Sequence, residues 1–148
     1  MDFWTNLEGE DFISFSGIAK YSVRFKKPEN NQSAWLLDLG NVAASATVFL
    51  NGKKLATLIS PPYQTVISSD ILSNNNLMEI HVANLMANRI IYMERNRMEY
   101  RNFYNVNFPA RTAENRGADG LFTALNWEPF PSGLEGPVTL TPIRLIGF

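Results

Sequence analysis

The stretch ATVFLNGKKLATLI, residues 46–59, decides the fold class because it places two apolar-rich runs on either side of an Asn-Gly dipeptide. Asn51-Gly52 is the strongest short-range hairpin signal, since a type I′ turn needs positive φ at both of its central positions. The runs Ala46–Leu50 and Lys54–Ile59 are therefore predicted to be the two arms of a β-hairpin.

Working outward, the same kind of pattern predicts strands at 17–25, 34–39, 63–67 and 77–83, and a last strand pair between 138 and 146. Strand 17–25 is expected to bury Ile18, Tyr21, Val23 and Phe25, with one irregular step in its alternation. Strand 77–83 separates Met78, Ile80 and Val82 from a second face of Leu77, Glu79, His81 and Ala83. Pro142 is expected at a bend or an edge strand. Many short strands separated by turns favour an antiparallel sandwich.

The character of the chain changes between Asn84 and Pro137. Residues 86–103 have apolar side chains near helical spacing, which predicts a short helix. Residues 105–131 show no clear period, and a span of that length without regular structure is usually functional or disordered. Its aromatic side chains favour order, so we expect a long loop at one end of the sandwich.

Composition narrows the function classes. The 148 residues, 45% of them hydrophobic, suit one globular domain with a real core. A net charge of −1 provides no global attraction to nucleic acid or an anionic membrane, and no apolar run is long enough for a membrane span. The absence of cysteine excludes disulfides and Cys-ligated metals. The first twelve residues do not have the pattern of a signal peptide.

Common catalytic motifs are missing from the sequence, including the P-loop, G-x-S-x-G and H-E-x-x-H. His81 is the only histidine, and a structural role is favoured for it. Asp38 stands between two leucines of a predicted strand, where it faces solvent or needs a polar partner.

Arginine is concentrated in the long segment, which holds six of the eight arginines interleaved with tyrosines and phenylalanines. One interpretation is that arginine–carboxylate pairs and stacked aromatic rings hold a long loop in one conformation. The other is a sugar-contacting surface, because aromatic faces pack on pyranose rings and planar polar groups bind hydroxyls. Arginine would also suit an acidic sugar.

The string PSGLEGPVTL, residues 131–140, resembles the P-S-G-L-x-G-P-V-x-L signature of a sugar-binding-type β-sandwich domain. That domain occurs in glycoside hydrolase family 2 relatives and in large bacterial α-L-rhamnosidases of family 106. Further pieces follow the pattern of the domain in order: FSGIAKY at 15–21, LDLG at 37–40, VFLNGK at 48–53, PPY at 61–63, VAN at 82–84 and NR at 88–89. The sequence departs from the pattern after Asn84, where Leu85-Met86 replaces the Thr-Trp of the family.

The resemblance implies an all-β, galactose-binding-like jelly-roll β-sandwich with a long, partly helical loop insertion. It also implies that residues 1–148 are a single non-catalytic accessory domain, a fragment of a larger multidomain glycoside hydrolase. The catalytic domain of the parent chain would be its partner, with an oligosaccharide as ligand and a periplasmic or secreted location. A catalytic (β/α)₈ barrel needs about 250 residues, more than this chain has. No cofactor is required, although the wider fold often carries a structural Ca²⁺.

The residues predicted to contact sugar all lie in the long segment: Tyr100, Arg101, Tyr104, Arg111, Arg116, Asp119 and Trp127. Trp4, Trp35 and Phe49 are assigned to the core or to inter-domain packing. Two alternatives stay open. One is a purely structural scaffold with no ligand of its own, which should show an exposed apolar patch. The other is a stand-alone enzyme, which would need two acids about 5–10 Å apart across a pocket.

Overall fold

A computed structural model describes residues 1–29, 32–100 and 112–144. The strands are β1 (Ile18–Lys26), β2 (Ala34–Asp38), β3 (Asn41–Ala43), β4 (Ser45–Leu50), β5 (Lys53–Leu58), β6 (Gln64–Ser68), β7 (Asn75–Ala83), β8 (Gly133–Glu135) and β9 (Thr139–Ile143). The helices are α1 (Glu10–Ser14) and α2 (Ala87–Arg95), and 3₁₀ turns cover Trp4–Asn6, Ser69–Ile71 and Ala113–Asn115.

The strands form an antiparallel β-sandwich, so the predicted fold class is confirmed. One sheet has the order β1-β7-β4-β5 and the other β6-β2-β9, while β3 and β8 form a short additional pair. α2 begins the long insertion, which makes the insertion partly helical as predicted.

The hairpin that decided the fold class is present as predicted. Asn51 and Gly52 have φ of 50° and 80°, the positive values that a type I′ turn requires. Ala46, Val48 and Leu50 of β4 point into the core, as do Met78, Ile80 and Val82 of the adjacent β7. They meet a second layer from the opposite sheet, formed by Trp35, Leu37 and Ile67.

The prediction for β1 was wrong at its first residue. The strand alternates without an irregular step, so Ala19, Tyr21, Val23 and Phe25 pack against the core. Strict period-two geometry then turns Ile18 outward, where it is 66% exposed.

The expected last strand pair is also corrected. The described part of the predicted range holds one strand, β9, and β9 pairs with β2. β8 precedes that range and pairs with β3. β9 is an edge strand, which explains how it accommodates Pro142 opposite Trp35. Residues 145 and 146 of the predicted pair lie outside the described residues.

The aromatic assignments are partly confirmed. Trp4 and Trp35 are buried in the core, whereas Phe49 lies on the outer face of the four-stranded sheet, 4.7 Å from the His81 ring. Phe49 faces outward because it falls between the inward Val48 and Leu50 in the alternation of β4.

Asp38 is half-buried and has the polar partners that such a position requires. Its carboxylate accepts hydrogen bonds from the Gly40 N–H and the Gln64 side-chain amide, both at 2.9 Å. None of the described helices is long and apolar enough to cross a membrane.

Candidate functional site

Several residues of the family signature meet in one hydrogen-bond network, called here the signature network. The Ser132 hydroxyl lies 3.1 Å from Asn84 Nδ2 and 3.4 Å from Asn88 Nδ2. Asn84 also accepts a hydrogen bond from the Gly17 N–H at 3.0 Å and donates to the Phe15 carbonyl at 2.8 Å. The signature network joins the residues just before β1, the end of β7, the start of α2 and the segment before β8.

A second contact ties Tyr21 of β1 to β8. The Leu134 N–H donates to the Tyr21 hydroxyl at 3.2 Å. Gly133 has φ of 124°, and a Cβ there would lie 2.8 Å from that hydroxyl and 3.0 Å from Trp4. Glycine is therefore required by both backbone conformation and space. Burial raises the pKa of the Tyr21 phenol, and the Leu134 hydrogen bond partly offsets that effect.

The remaining signature residues also serve the scaffold. The Tyr63 hydroxyl donates to the Ala44 carbonyl at 2.9 Å, and the Asn51 side chain accepts from the Leu77 N–H at 2.9 Å and donates to Asn76 at 3.1 Å. These contacts explain the signature residues Tyr63 and Asn51 by folding. The search for a ligand site therefore begins with the long segment.

The long segment folds back onto α2 through Glu94. One carboxylate oxygen accepts from the Thr123 hydroxyl at 2.7 Å, and the other accepts from the Ala124 N–H at 2.7 Å and the Tyr100 hydroxyl at 2.8 Å. We call residues 112–130, packed on α2, the loop layer. Hydrogen bonds to a charged acceptor are among the stronger ones, so Glu94 fixes the loop layer in place.

A small second core lies under the loop layer, formed by Ile91, Phe122 and Ala124. Trp127 packs edge-on against Phe122 at 5.5 Å and Phe130 at 5.9 Å. The indole N–H of Trp127 donates to Asn115 at 2.8 Å, and Arg95 donates to the Trp127 carbonyl at 2.7 Å. The Trp127 ring is half-buried and held in one orientation.

Four of the seven predicted site residues fall in described parts of the chain, and the structure brings them to the loop layer. Tyr100 is bound to Glu94, and Trp127 to Asn115. Arg116 and Asp119 lie on an exposed turn, where Asp119 accepts from the Leu121 N–H at 2.9 Å. The other three, Arg101, Tyr104 and Arg111, lie outside the described residues. A sugar-contacting role for all seven stays a prediction.

Sequence reasoning missed Glu94 and Asn115, the two residues that orient the predicted aromatic side chains. Glu94 stands one helical turn after the buried Ile91, so helical spacing could have placed it on the inner face of α2. No sequence signal marked Asn115.

A set of exposed apolar side chains, called the apolar patch, lies near α1, the start of β1 and the end of β7. Its members are exposed apolar side chains: Phe12, Phe15, Ile18, Leu85 and Met86. Ser16 holds Met86 close, with the hydroxyl 3.0 Å from the sulfur atom. A groove of about 310 Å³ runs beside the patch between Trp4, Phe12 and Phe15.

In the described ranges, no three histidine, aspartate or glutamate side chains come together as a metal-binding group. The expectation of a structural Ca²⁺ stays a prediction.

The known proteins that this chain is similar to, in sequence and in structure, are named as glycoside hydrolases. No family model matches the chain. The chain is 38% identical over 91 residues, 60% of its length, to a protein of Formosa agariphila named "Putative beta-glucuronidase". Its structure resembles part of a rhamnosidase from Novosphingobium sp. PP1Y, with a TM-score of 0.67 and 29% identity over 94% of the chain. The predicted resemblance is therefore confirmed.

The chain corresponds to only a small part of each relative. It spans 8% of the Formosa protein and 12% of the Novosphingobium rhamnosidase. The similarity therefore concerns one segment of a much longer chain.

Proposed function

We propose that this chain is a non-catalytic accessory β-sandwich domain of a glycoside hydrolase, and that its loop layer contacts or shapes the sugar site. The observation that carries the proposal is the match of 94% of the chain to 12% of a rhamnosidase. A unit of this size leaves the reaction to another domain, because a catalytic barrel takes about 250 residues. The partner is then the catalytic domain of the same parent chain.

The loop layer is the surface proposed to contact sugar because the signature residues are already used in the scaffold. Trp127 offers a half-buried ring in a fixed orientation, and Phe130 beside it is 48% exposed. Arg116 and Asp119 lie on an exposed turn of the same layer. Aromatic faces with planar polar groups nearby suit the apolar faces and hydroxyls of a pyranose.

Calorimetric titration with a panel of plant pectic and other oligosaccharides tests this proposal. Saturable heat is expected, and it should be lost in Trp127→Ala and reduced in Arg116→Ala. Phe12→Ala is the matched control, because it removes an exposed aromatic ring outside the loop layer. Retention of full affinity by a folded Trp127→Ala protein would overturn the assignment of sugar contact to the loop layer.

A second candidate function, a packing module without a ligand, is favoured by the exposed apolar patch around Phe15 and Leu85. Exposed apolar side chains gathered in one place are typical of docking sites. This candidate predicts no heat with oligosaccharide at about 1 mM. It also predicts that Ile18→Ser with Leu85→Ser lowers the melting temperature of the full parent hydrolase but not that of the isolated chain.

The same proposal places the parent in the periplasm or outside the cell, where polymeric saccharides are met. It requires no cofactor. A structural Ca²⁺ would show as a higher melting temperature with Ca²⁺ than with a chelator, since an ion that binds only the folded state stabilises it.

A further inference from the structure

An open groove of about 550 Å³ lies at one end of the four-stranded sheet. It is at the opposite end of β1 from the signature network. It is lined by Arg24, Lys26, Asn51, Asn75 and Leu77, with Phe25 and Asn76 between them. Antiparallel pairing sets Arg24 opposite Leu77 and Lys26 opposite Asn75. Both cations therefore stand on the outer face of the sheet, two residues apart on one edge strand.

The two cations have no acidic partner in the part of the chain that the structure describes. The ion pair found there joins Lys20 to Glu79 at 2.9 Å. The hydrogen bond from Lys20 lowers the pKa of Glu79, with burial opposing, so this neighbouring acid is charged and already paired at neutral pH. Glu29, in the loop after β1, forms no ion pair with Arg24 or Lys26.

Other groups add positive charge and hydrogen-bonding capacity. Lys53 and Lys54 are exposed just after the Asn51-Gly52 turn, at the same end of the sheet. The overall charge of −1 therefore hides a local concentration of cations. The Asn75 side chain makes no hydrogen bond to any described residue, whereas Asn51 and Asn76 are fixed by bonds to each other and to the backbone.

The lining selects the kind of ligand. A volume of 550 Å³ is within the range of small-molecule sites, about 300–1,000 Å³. Arginine grips a planar anion through two donors, and lysine adds a point charge. The amide of Asn75 suits hydroxyl groups, and Leu77 provides an apolar floor. No pair of exposed aromatic rings is present among the lining residues to stack nucleobases, as single-stranded nucleic acid would require.

We propose that this groove binds a saccharide that carries a negative charge, with Arg24 and Lys26 holding the anionic group and Asn75 a neighbouring hydroxyl. The choice of a saccharide as the ligand rests on the proposed function. The site is separate from the loop layer, so loss of binding here and loss of binding at Trp127 are distinguishable.

Calorimetry with galacturonic acid trimer, its methyl ester and a sulfated disaccharide tests the proposal. The acid trimer should bind with heat that weakens as salt is raised, because the contact is with exposed cations. The methyl ester should bind at least about tenfold more weakly. Binding of the sulfated disaccharide in place of the trimer would identify the anionic group as a sulfate ester rather than a carboxylate.

Arg24→Gln with Lys26→Gln should weaken binding of the charged saccharide by at least about tenfold. Arg144→Gln is the matched control, since Arg144 is an exposed arginine after β9 on the other sheet. Both variants change exposed side chains and should keep the wild-type melting temperature. The proposal is overturned if the double variant binds as tightly as the wild type, if inorganic sulfate binds as tightly as the saccharides, or if neither charged saccharide binds.

Discussion

The side-chain amide of Asn88 and the backbone of Phe130 hold each other by two hydrogen bonds. Asn88 Nδ2 donates to the Phe130 carbonyl at 2.8 Å, and the Phe130 N–H donates to Asn88 Oδ1 at 2.7 Å. Asn88 is buried in the first turn of α2. It therefore fixes where the loop layer returns to the sandwich, 42 residues further along the chain.

Asn88→Ala removes the partners of the Phe130 carbonyl and N–H. It should lower the free energy of unfolding by about 1–3 kcal/mol for each of these groups that gains no new hydrogen bond to protein or water. Urea unfolding followed by fluorescence measures the change. Asn96→Ala is the control, because the Asn96 amide donates to the Tyr92 carbonyl at the exposed end of α2. Equal losses in the two variants would contradict the role assigned to Asn88.

Glu94→Gln should loosen the loop layer while leaving the sandwich intact. Both carboxylate oxygens of Glu94 accept hydrogen bonds, from Thr123, Ala124 and Tyr100. Glutamine has one acceptor oxygen and no negative charge, so it cannot keep all three bonds at the same strength. Hydrogen exchange should become faster in residues 112–127 and stay unchanged in β4 and β7. Exposed Glu128 provides the control variant Glu128→Gln. Uniform acceleration across the chain would show that Glu94 supports the whole fold instead.

Gly133→Ala is expected to be among the most damaging single-methyl changes in the chain. Its Cβ would meet the Tyr21 hydroxyl at 2.8 Å and the Trp4 backbone nitrogen at 3.0 Å, at a φ of 124°. Gly52→Ala shares a positive φ but has open space, so it separates backbone strain from collision. Thermal melts should place Gly133→Ala well below Gly52→Ala, and the reverse order would refute the packing described for β8.

Tyr21 should make stability fall in alkali. Its pKa is raised by burial, so the folded state keeps the phenol proton at a pH where the unfolded chain has lost it. The contribution of Tyr21 to the free energy of unfolding is complete below 10.0, the pKa of the phenol in the unfolded chain. It is lost as the pH rises through the higher pKa of the folded protein. Tyr21→Phe should be less stable than the wild type at about pH 9, by about 1–3 kcal/mol, because the Leu134 N–H loses its acceptor.

The difference between the two proteins should narrow towards about pH 11, as the wild type alone loses the Tyr21 contribution. Urea unfolding of both proteins at the two pH values tests this prediction. The effect of lysine titration on the free energy of unfolding is the same in both proteins, so it cancels in the difference between them. A constant difference would contradict the effect of burial on Tyr21.

Local patterns were enough to predict most of the sandwich. The Asn51-Gly52 turn and the alternation in β7 specify their own structure, because turn chemistry and period-two burial act over a few residues. Ile18 was misplaced because it stands at the end of β1, where an apolar side chain can face outward without disturbing the core. The partners of β8 and β9 depend on long-range pairing, which no short pattern encodes.

The site was predicted less completely for a similar reason. Its aromatic and arginine content was visible in the sequence, but no motif marks Glu94 and Asn115, the residues of the same segment that orient Tyr100 and Trp127. Glu94 acts across 30 residues to Ala124, and Asn115 reaches Trp127 across 12. Such pairings follow from the folded path of the loop layer, so composition alone could not identify them.

The most direct test of the accessory-domain proposal is an amide-shift map of the isotope-labelled chain, titrated with neutral oligosaccharides up to about 10 mM. The account predicts saturable shifts concentrated in the loop layer and α2, including the Trp127 indole N–H. Shifts confined to other surfaces, or none at all, would contradict sugar contact through the loop layer and leave the packing module as the better description.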